Sequence, residues 1–544
     1  MNVELCLFSS LFGLVFASQK PNIVFILADD LGWNDVGFHG ANEIWTPNID
    51  ALAYSGLILN SHYSENLCTP SRSALLTGRY PIHTGTQHNV IVEASPWGLP
   101  LKEKLMPQYF NKLGYVSHAL GKWHLGFFKK EYTPTYRGFK THYGYWNSHQ
   151  DYFSHVVQAS FSPFEGMDMR DNMTIDWSSK GHYTTRLLTD RAVKLITEHD
   201  NNKPLFLYFA HQATHAGNYE DPLQAPEETI KMFSHLPNKM KQVYAAMTWE
   251  LDQSVGKVMD ALKNKDMLDN TIIVLASDNG APTRGLHKNT GSNWPLKGEK
   301  STPWEGALRS VACIWSPMIQ KKQTVSNNLM HLVDWLPTLY TAAGGDTSDL
   351  KNIDGVSQWD YLKNVENSTE PRGEILQNID DVYGYSALRD GPFKYVNGTA
   401  FLGYLDNWFG EEERSALEYN ISAVINSPVA RIFKEVNNAS LVEEKIASLR
   451  KMALVKCNET NKYIKCDSKL QPCLFNIEED PCERNNVFQL HPDAVRIMES
   501  KIAKYRVNMI PPGNKRAESV ANPRYYNNTW TNWRDYKRAL SKRL

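Results

Sequence analysis

The sequence predicts an α/β protein: a large mixed, mostly parallel sheet sandwiched by helices, with a smaller C-terminal α+β unit carrying an antiparallel sheet. Three segments carry that expectation. NIVFILADD (Asn22–Asp30), PLFLYFAHQATH (Pro204–His215) and TIIVLASDNG (Thr271–Gly280) each begin as an unbroken apolar run and finish in acids, His or Asp-Asn. An apolar run without alternation fits a strand buried on both faces, as in a parallel sheet covered by helices. Helical patterns lie between these runs, in TTRLLTDRAVKLITEH and in the Lys241–Leu262 segment, and strands alternating with helices build such a sheet.

The chain has 544 residues, 42% hydrophobic and 22% charged, enough for one large core and a smaller appended unit. Its formal net charge of −1 provides no basic field, which argues against nucleic acid as a partner. The opening MNVELCLFSSLFGLVFASQ holds an apolar run too short to span a bilayer, followed by a polar step. Residues 1–17 therefore read as a signal peptide, with Val15 and Ala17 before the cleavage point, although Glu4 and the lack of Lys or Arg make a poor n-region. No later stretch reads as transmembrane, so no stable membrane insertion is expected, and RALSKRL matches no retention tetrapeptide.

After about residue 370 the texture changes. ALRDGPFKYVNG and CLFNIEEDPCERNNVF read as short strands with turns, and HPDAVRIMESKIAKYR as a helix with Asp493 in its first turn. The division is thus 18–370 for the large unit and 371–544 for the smaller one. Of the seven cysteines, Cys6 falls in the leader and Cys313 in an apolar strand, VACIW, where it serves as a small buried hydrophobe. Cys457, Cys466, Cys473 and Cys482 suit two local disulfides in an oxidising compartment. Adjacent pairing, Cys457–Cys466 and Cys473–Cys482, is the expected connectivity. Acceptors for N-glycosylation stand at Asn172, Asn367, Asn397, Asn420, Asn438, Asn458 and Asn527, which fits a glycoprotein.

Ligands of open α/β sheets collect beyond the C-terminal ends of the strands. Asp29, Asp30, His215, Asp278 and Asn279 all project there. Four of these offer only oxygen, which suits Ca²⁺ or Mg²⁺ rather than zinc. One further residue stands out: Cys68, which opens CTPSRSALLTGRY with no nearby cysteine to pair with.

CTPSRSALLTGR resembles the sulfatase signature, in which Cys-x-Pro-Ser-Arg directs oxidation of the cysteine to Cα-formylglycine, and GKWHLG (Gly121–Gly126) is similar to that family's second signature. The resemblance runs from about Asn22 to at least Asp354 and implies an alkaline-phosphatase-like fold with 18–370 as the catalytic domain. LADDLGWNDVGFHG, LPTLY and SDNG followed by NWPLKGEK place it near the arylsulfatase B group.

That resemblance implies an enzyme, a sulfuric ester hydrolase. Cys68 would be converted by a formylglycine-generating enzyme during maturation. One hydroxyl of the aldehyde hydrate would attack sulfur, and the other would then eliminate sulfate, a second step that a serine at this place lacks. It favours one Ca²⁺ per chain, with Asp29, Asp30, residue 68, Asp278 and Asn279 around it. Arg72, one helical turn beyond Cys68, and Lys122 would face the diol and the sulfate. His124 would take the proton during elimination. His215 and Lys300 match the sulfate-binding pair, one of which protonates the leaving oxygen. His211 and Lys297 are the respective competitors.

The loop VIVEASPWGLPL lacks the cysteines usual in N-acetylgalactosamine-4-sulfatases, which leaves the substrate open between a glycosaminoglycan-type sugar sulfate and a small aryl sulfate or glucosinolate. Trp294 and Trp304 read mostly as core, and His287 and Lys288 as a solvated loop. Two rivals stay on the table: a phosphomonoester or phosphonate hydrolase on the same fold, and a silent extracellular binding protein. An intact CTPSR and a complete set of site residues oppose them. The expected location is the secretory pathway, secreted or lysosomal.

Overall fold

In a computed structural model of the chain, the strand β1 (Asn22–Ala28) lies at the centre of a ten-stranded sheet. Residues 20–536 are described, apart from 366–367, 413, 415–416, 438–439 and 458–463. The leader 1–17 with Cys6, the C-terminal RALSKRL and the acceptors Asn367, Asn438 and Asn458 lie outside the described residues.

The other strands of the large sheet are β2 (Leu57–Leu59), β3 (Val116–Lys122), β4 (Thr141–Tyr145), β5 (Arg170–Asp171), β6 (Thr174–Ile175), β7 (Leu205–Ala210), β8 (Thr271–Ser277), β9 (Ala312–Trp315) and β10 (Thr324–Ser326). Their spatial order is β10-β2-β9-β8-β1-β7-β3-β4-β5-β6. The middle pairs β8-β1, β1-β7, β7-β3 and β3-β4 are parallel, while β9 and β5 enter antiparallel, so the sheet is mixed but mostly parallel.

The side chains of β1 explain its unbroken apolar sequence. Ile23, Phe25 and Leu27 join one core, with Leu75 and Leu76 of α2 (Cys68–Thr77) and Trp335 and Leu339 of α5 (Trp335–Ala342). Val24, Ile26 and Ala28 join the other, with α1 (Pro47–Ser55), α3 (Thr184–Thr197) and α4 (Lys239–Asn264). A strand whose odd and even residues both face helices has no position for a polar side chain until it ends.

The C-terminal part holds a four-stranded antiparallel sheet of β11 (Glu374–Asp380), β12 (Tyr385–Asp390), β13 (Phe393–Asn397) and β14 (Cys473–Asn476). Between β13 and β14 the chain leaves this sheet. The helices α6 (Pro428–Asn437) and α7 (Glu443–Ala453) bury Ile432, Phe433, Ile446 and Leu449 against the large sheet's second face, next to Trp315. The last helix, α8 (Pro492–Val507), sends Val495, Met498 and Ile502 into the first core together with Leu388 and Tyr395. Among the described residues no helix is long and apolar enough to cross a membrane.

The cysteine pairing differs from the expected one. Cys466 pairs with Cys473 and Cys457 with Cys482, a short loop nested inside a longer one. The turn at residues 468–470 folds Cys466 back onto the start of β14, whereas Cys482 lies beyond that strand and meets Cys457 in a cluster with Trp33 and Leu296. The expected pairing in order of appearance fails because Cys466 and Cys473, only 7 residues apart, close on each other, and β14 carries the chain away between Cys473 and Cys482. Cys313 is fully buried and unpaired, as a core residue should be.

Candidate active site

The parallel pairing of β1 with β8 aligns Ala28 with Ser277, so the next residues of each strand emerge side by side. The Asp278 amide donates to the Ala28 carbonyl (3.1 Å), and the Asp30 amide to Asp278 Oδ1 (3.2 Å). Asp30 is left-handed, with φ 60°, a conformation that Asp tolerates and that turns its carboxylate back over the sheet edge. On the other side of β1, β7 ends at Ala210 and leads to His215, and β3 ends at Lys122. Gly121 is required there. Its φ is +85°, and a Cβ would lie 1.8 Å from the Ala210 carbonyl oxygen.

Cys68 is the first residue of α2, so its side chain sits at the positive end of that helix, 2% exposed and unpaired. Its thiol donates to Asp29 Oδ1 at 3.5 Å. Burial, only partly opposed by Lys122 and Lys300, pushes the thiol up to about 12, so at neutral pH it is a thiol and not a thiolate nucleophile. Arg72, one turn along α2, is fully buried and donates through Nη2 to Asp278 Oδ2 (2.8 Å) and through Nη1 to the Lys122 carbonyl (3.2 Å). Lys122 Nζ donates to Asp29 Oδ2 at 2.6 Å.

Asp30 binds Lys300 Nζ at 2.6 and 2.7 Å through its two oxygens, and Asn279 Nδ2 donates to Asp30 Oδ1 (2.6 Å). Burial raises both Asp30 and Asp278 above the usual carboxylate range. Burial also works against the charge of Lys300, but Asp30 and the neighbouring acids hold it well above an ordinary lysine. His215 Nε2 lies 3.5 Å from Asp30 Oδ2, while its Nδ1–H donates to the Ala216 carbonyl (2.6 Å). His124 donates from Nε2 to the Ile91 carbonyl (3.0 Å), which leaves a buried Nδ1 with no partner. Its own carbonyl accepts from Thr69 Oγ1 at 3.1 Å, tying it to the residue beside Cys68. Burial holds both histidines well below their ordinary range.

Every candidate named from the sequence is therefore buried in one locus, and the two competitors are not in it. His211 Nε2 meets Ser254 (3.1 Å) on α4. Lys297 lies over the ring of Trp304 at 3.4 Å, near Trp408 and Phe475. Trp304 is core, and Trp294 is stacked by Arg414. His287 corrects the expectation of a solvated loop residue: its ring centroid lies 5.3 Å from that of His215 and 4.9 Å from that of His149.

His149 was not legible at all. Its Nδ1 meets Ser148 Oγ at 2.7 Å, Ser148 donates to Glu93 (2.7 Å), and Nε2 is buried without a partner. Asn289, also unforeseen, donates to the carbonyls of Asp30 (3.0 Å) and Thr214 (3.2 Å), stitching two strand-end loops together. No spacing rule reaches these residues, because they come from loops far apart in sequence.

One possible metal-ligand group joins Asp29, Asp30, Cys68 and His215, whose ligand atoms lie within 4.8 Å of one another. Asn279 Oδ1, beside Asp30, is buried without a partner. The two carboxylates of that group, with Asp278 next to them and the unsatisfied amide oxygen of Asn279, fit a hard divalent cation such as Ca²⁺.

The family described as Sulfatase matches residues 21–345. Mouse arylsulfatase J is 35% identical over 546 residues, covering 97% of this chain and 82% of the relative. Human N-acetylgalactosamine-6-sulfatase is 33% identical over 365 residues, covering 63% of this chain and 65% of the relative. Among solved structures, Ps i-CgsB has a TM-score of 0.70 at 28% identity, covering 91% of this chain and 94% of that one, and it has also been solved in complex with k-i-k-neocarrahexaose.

Proposed function

This chain belongs to the sulfatase family and is a sulfuric ester hydrolase, and from that premise we propose that it cleaves sulfate monoesters of sugars through a formylglycine made from Cys68. The observation that carries the mechanism is the setting of Cys68: unpaired, held as a thiol, and facing Asp29 beside Arg72 and Lys122.

Oxidised and hydrated, residue 68 offers one hydroxyl that bonds to sulfur as the ester S–O bond breaks, and a second whose deprotonation restores the aldehyde and expels sulfate. The neutral His124 already spends its Nε2–H on Ile91, so the Nδ1 lone pair is free to take that proton. The alkoxide leaving group takes its proton from Lys300, or from His215 once its Nε2 has gained a proton beside Asp30, since the neutral ring spends its Nδ1–H on the Ala216 carbonyl. Arg72, Lys122 and Lys300 place three cations against the sulfate oxygens in a dry site, where such charges act strongly. Asp29, Asp30, Asp278 and Asn279 would hold a divalent cation, whose charge would further neutralise those oxygens.

A sugar substrate is supported by the relatives named N-acetylgalactosamine-6-sulfatase and by the oligosaccharide complex of Ps i-CgsB. At the rim Tyr219, 53% exposed, stacks on His287 and presents an aromatic face of the kind that sugars pack against. Passage through the secretory pathway, with maturation by a formylglycine-generating enzyme and delivery outside the cell or to the lysosome, is part of the same proposal. Two disulfides and the exposed acceptors Asn397, Asn420 and Asn527 support it.

The test is sulfate release by purified glycosylated protein from an aryl sulfate, a sulfated N-acetylgalactosamine oligosaccharide and a glucosinolate, with Cys68→Ala alongside. Release from the oligosaccharide that disappears in the variant is the expected result. Preference for the glucosinolate overturns the sugar assignment, and full activity in the variant overturns the mechanism.

A further inference from the structure

A second cationic site lies between the edge of the large sheet and the C-terminal sheet. Asn60 follows β2, Arg309 precedes β9, Arg389 lies on β12, Lys456 follows α7, and together with Glu478 they line a cleft of ≈ 420 Å³. Both arginines are more than nine-tenths buried. Arg309 donates through Nε to the Asn60 carbonyl (2.8 Å), and its two terminal nitrogens have no hydrogen-bond acceptor among the described residues. Arg389 donates through Nε to the Gly391 carbonyl (3.3 Å) and through Nη1 to the Tyr63 hydroxyl, leaving Nη2 without one.

The local charge does not balance. Behind the cleft, Tyr63 donates to Glu305, and Lys394 bridges Glu305 and Glu483 at 3.0 and 2.8 Å. Arg309, Arg389, Lys394 and Lys456 thus face Glu305, Glu483 and Glu478, four cations against three carboxylates. The free terminal N–H groups of both arginines open into the cleft, and the planar fork of Arg suits oxyanions in particular. Glu478 and Lys456 both stand on the exposed rim, where water screens their charges, which leaves three buried cations, Arg309, Arg389 and Lys394, against the two buried carboxylates Glu305 and Glu483.

We propose that this cleft is a second oxyanion-binding site, distinct from the catalytic pocket, that takes a sulfate or phosphate group between the Arg309 and Arg389 guanidinium groups. None of its lining residues contributes to the Asp29–Asp30–Cys68 locus. The nearest link is Trp33, three residues beyond Asp30, against whose ring Arg309 lies at 4.9 Å.

Calorimetric titration of the full-length glycosylated protein with sodium sulfate, in buffer free of sulfate and phosphate, tests this. The variant carrying Arg309→Gln and Arg389→Gln is expected to bind one sulfate fewer per chain than the parent while still hydrolysing an aryl sulfate. An equal number in parent and variant overturns the site. Should the double variant fail to fold, Lys456→Glu reverses an exposed rim charge and breaks no buried contact. It is expected to weaken that sulfate by about tenfold, equivalent to one charge-assisted contact, and unchanged affinity overturns the proposal. A sulfated disaccharide binding there more tightly than inorganic sulfate identifies the pendant group of a glycan as occupant; equal affinity identifies the free anion.

Discussion

Arg72 Nη2 lies 2.8 Å from Asp278 Oδ2, and neither side chain is exposed. The pair joins the first turns of α2 to the end of β8, so a residue of the signature helix and a carboxylate more than two hundred positions away stand or fall together. Removing one member of such a pair strands the other charge in a dry interior. Arg72→Ala is therefore expected to cost about 3–5 kcal/mol of stability in urea unfolding, as well as activity. A variant as stable as the parent would show that Asp278 is not ionised there.

Cys68 behaves oppositely. Its side chain makes one long hydrogen bond and fills little volume. Cys68→Ala is expected to abolish turnover while stability changes by no more than about 1–2 kcal/mol. Mass analysis of the residue-68 peptide from the parent should show the loss of sulfur that formylglycine requires. A cysteine mass in fully active protein would overturn the mechanism.

His215 and Lys300 are separable by leaving group. A general acid matters most when the departing alkoxide is strongly basic. The variant lacking the true acid should lose about 100-fold more rate on a sugar or alkyl sulfate than on a nitrophenyl sulfate. The other variant should lose similar rate on both. Equal losses in both variants would mean that neither nitrogen delivers the proton.

His62 predicts a pH effect on stability. Its Nε2 accepts from the Trp335 indole (3.0 Å) and its Nδ1–H donates to Ser310 Oγ (2.9 Å), so both nitrogens are committed to the neutral ring. Burial takes its pKa down to about 3. The folded value lies below the unfolded one of about 6.5, so its contribution is complete above pH 6.5 and is lost as pH falls toward 3. At pH 5 that loss is about 2 kcal/mol. His62→Gln keeps an acceptor and a donor without the titration, so its stability should fall less between pH 7 and 5, by about that amount. Parallel pH profiles would refute the assignment.

Much of this protein is written locally. The apolar runs of β1, β7 and β8 announce a sheet covered on both faces, because only a strand with no solvent side tolerates such composition. Their polar ends announce the site, since a chain leaving a buried strand reaches its first polar environment there. The distance from Cys68 to Arg72 is likewise a local matter, one turn of one helix.

Tertiary structure decided the rest. It turned Lys300, the lysine the sequence already favoured, toward Asp30, and Lys297 onto the ring of Trp304. It brought His149 and His287 beside His215 from loops with no common pattern. It paired Cys457 with Cys482 across β14, and it set Arg309, from the segment before β9, and Arg389, from β12, facing one cleft. Local sequence fixes what a segment can become, through period, propensity and the polarity of its ends. Which distant segments meet depends on how strands are ordered and how helices cover them, and no spacing along the chain encodes that.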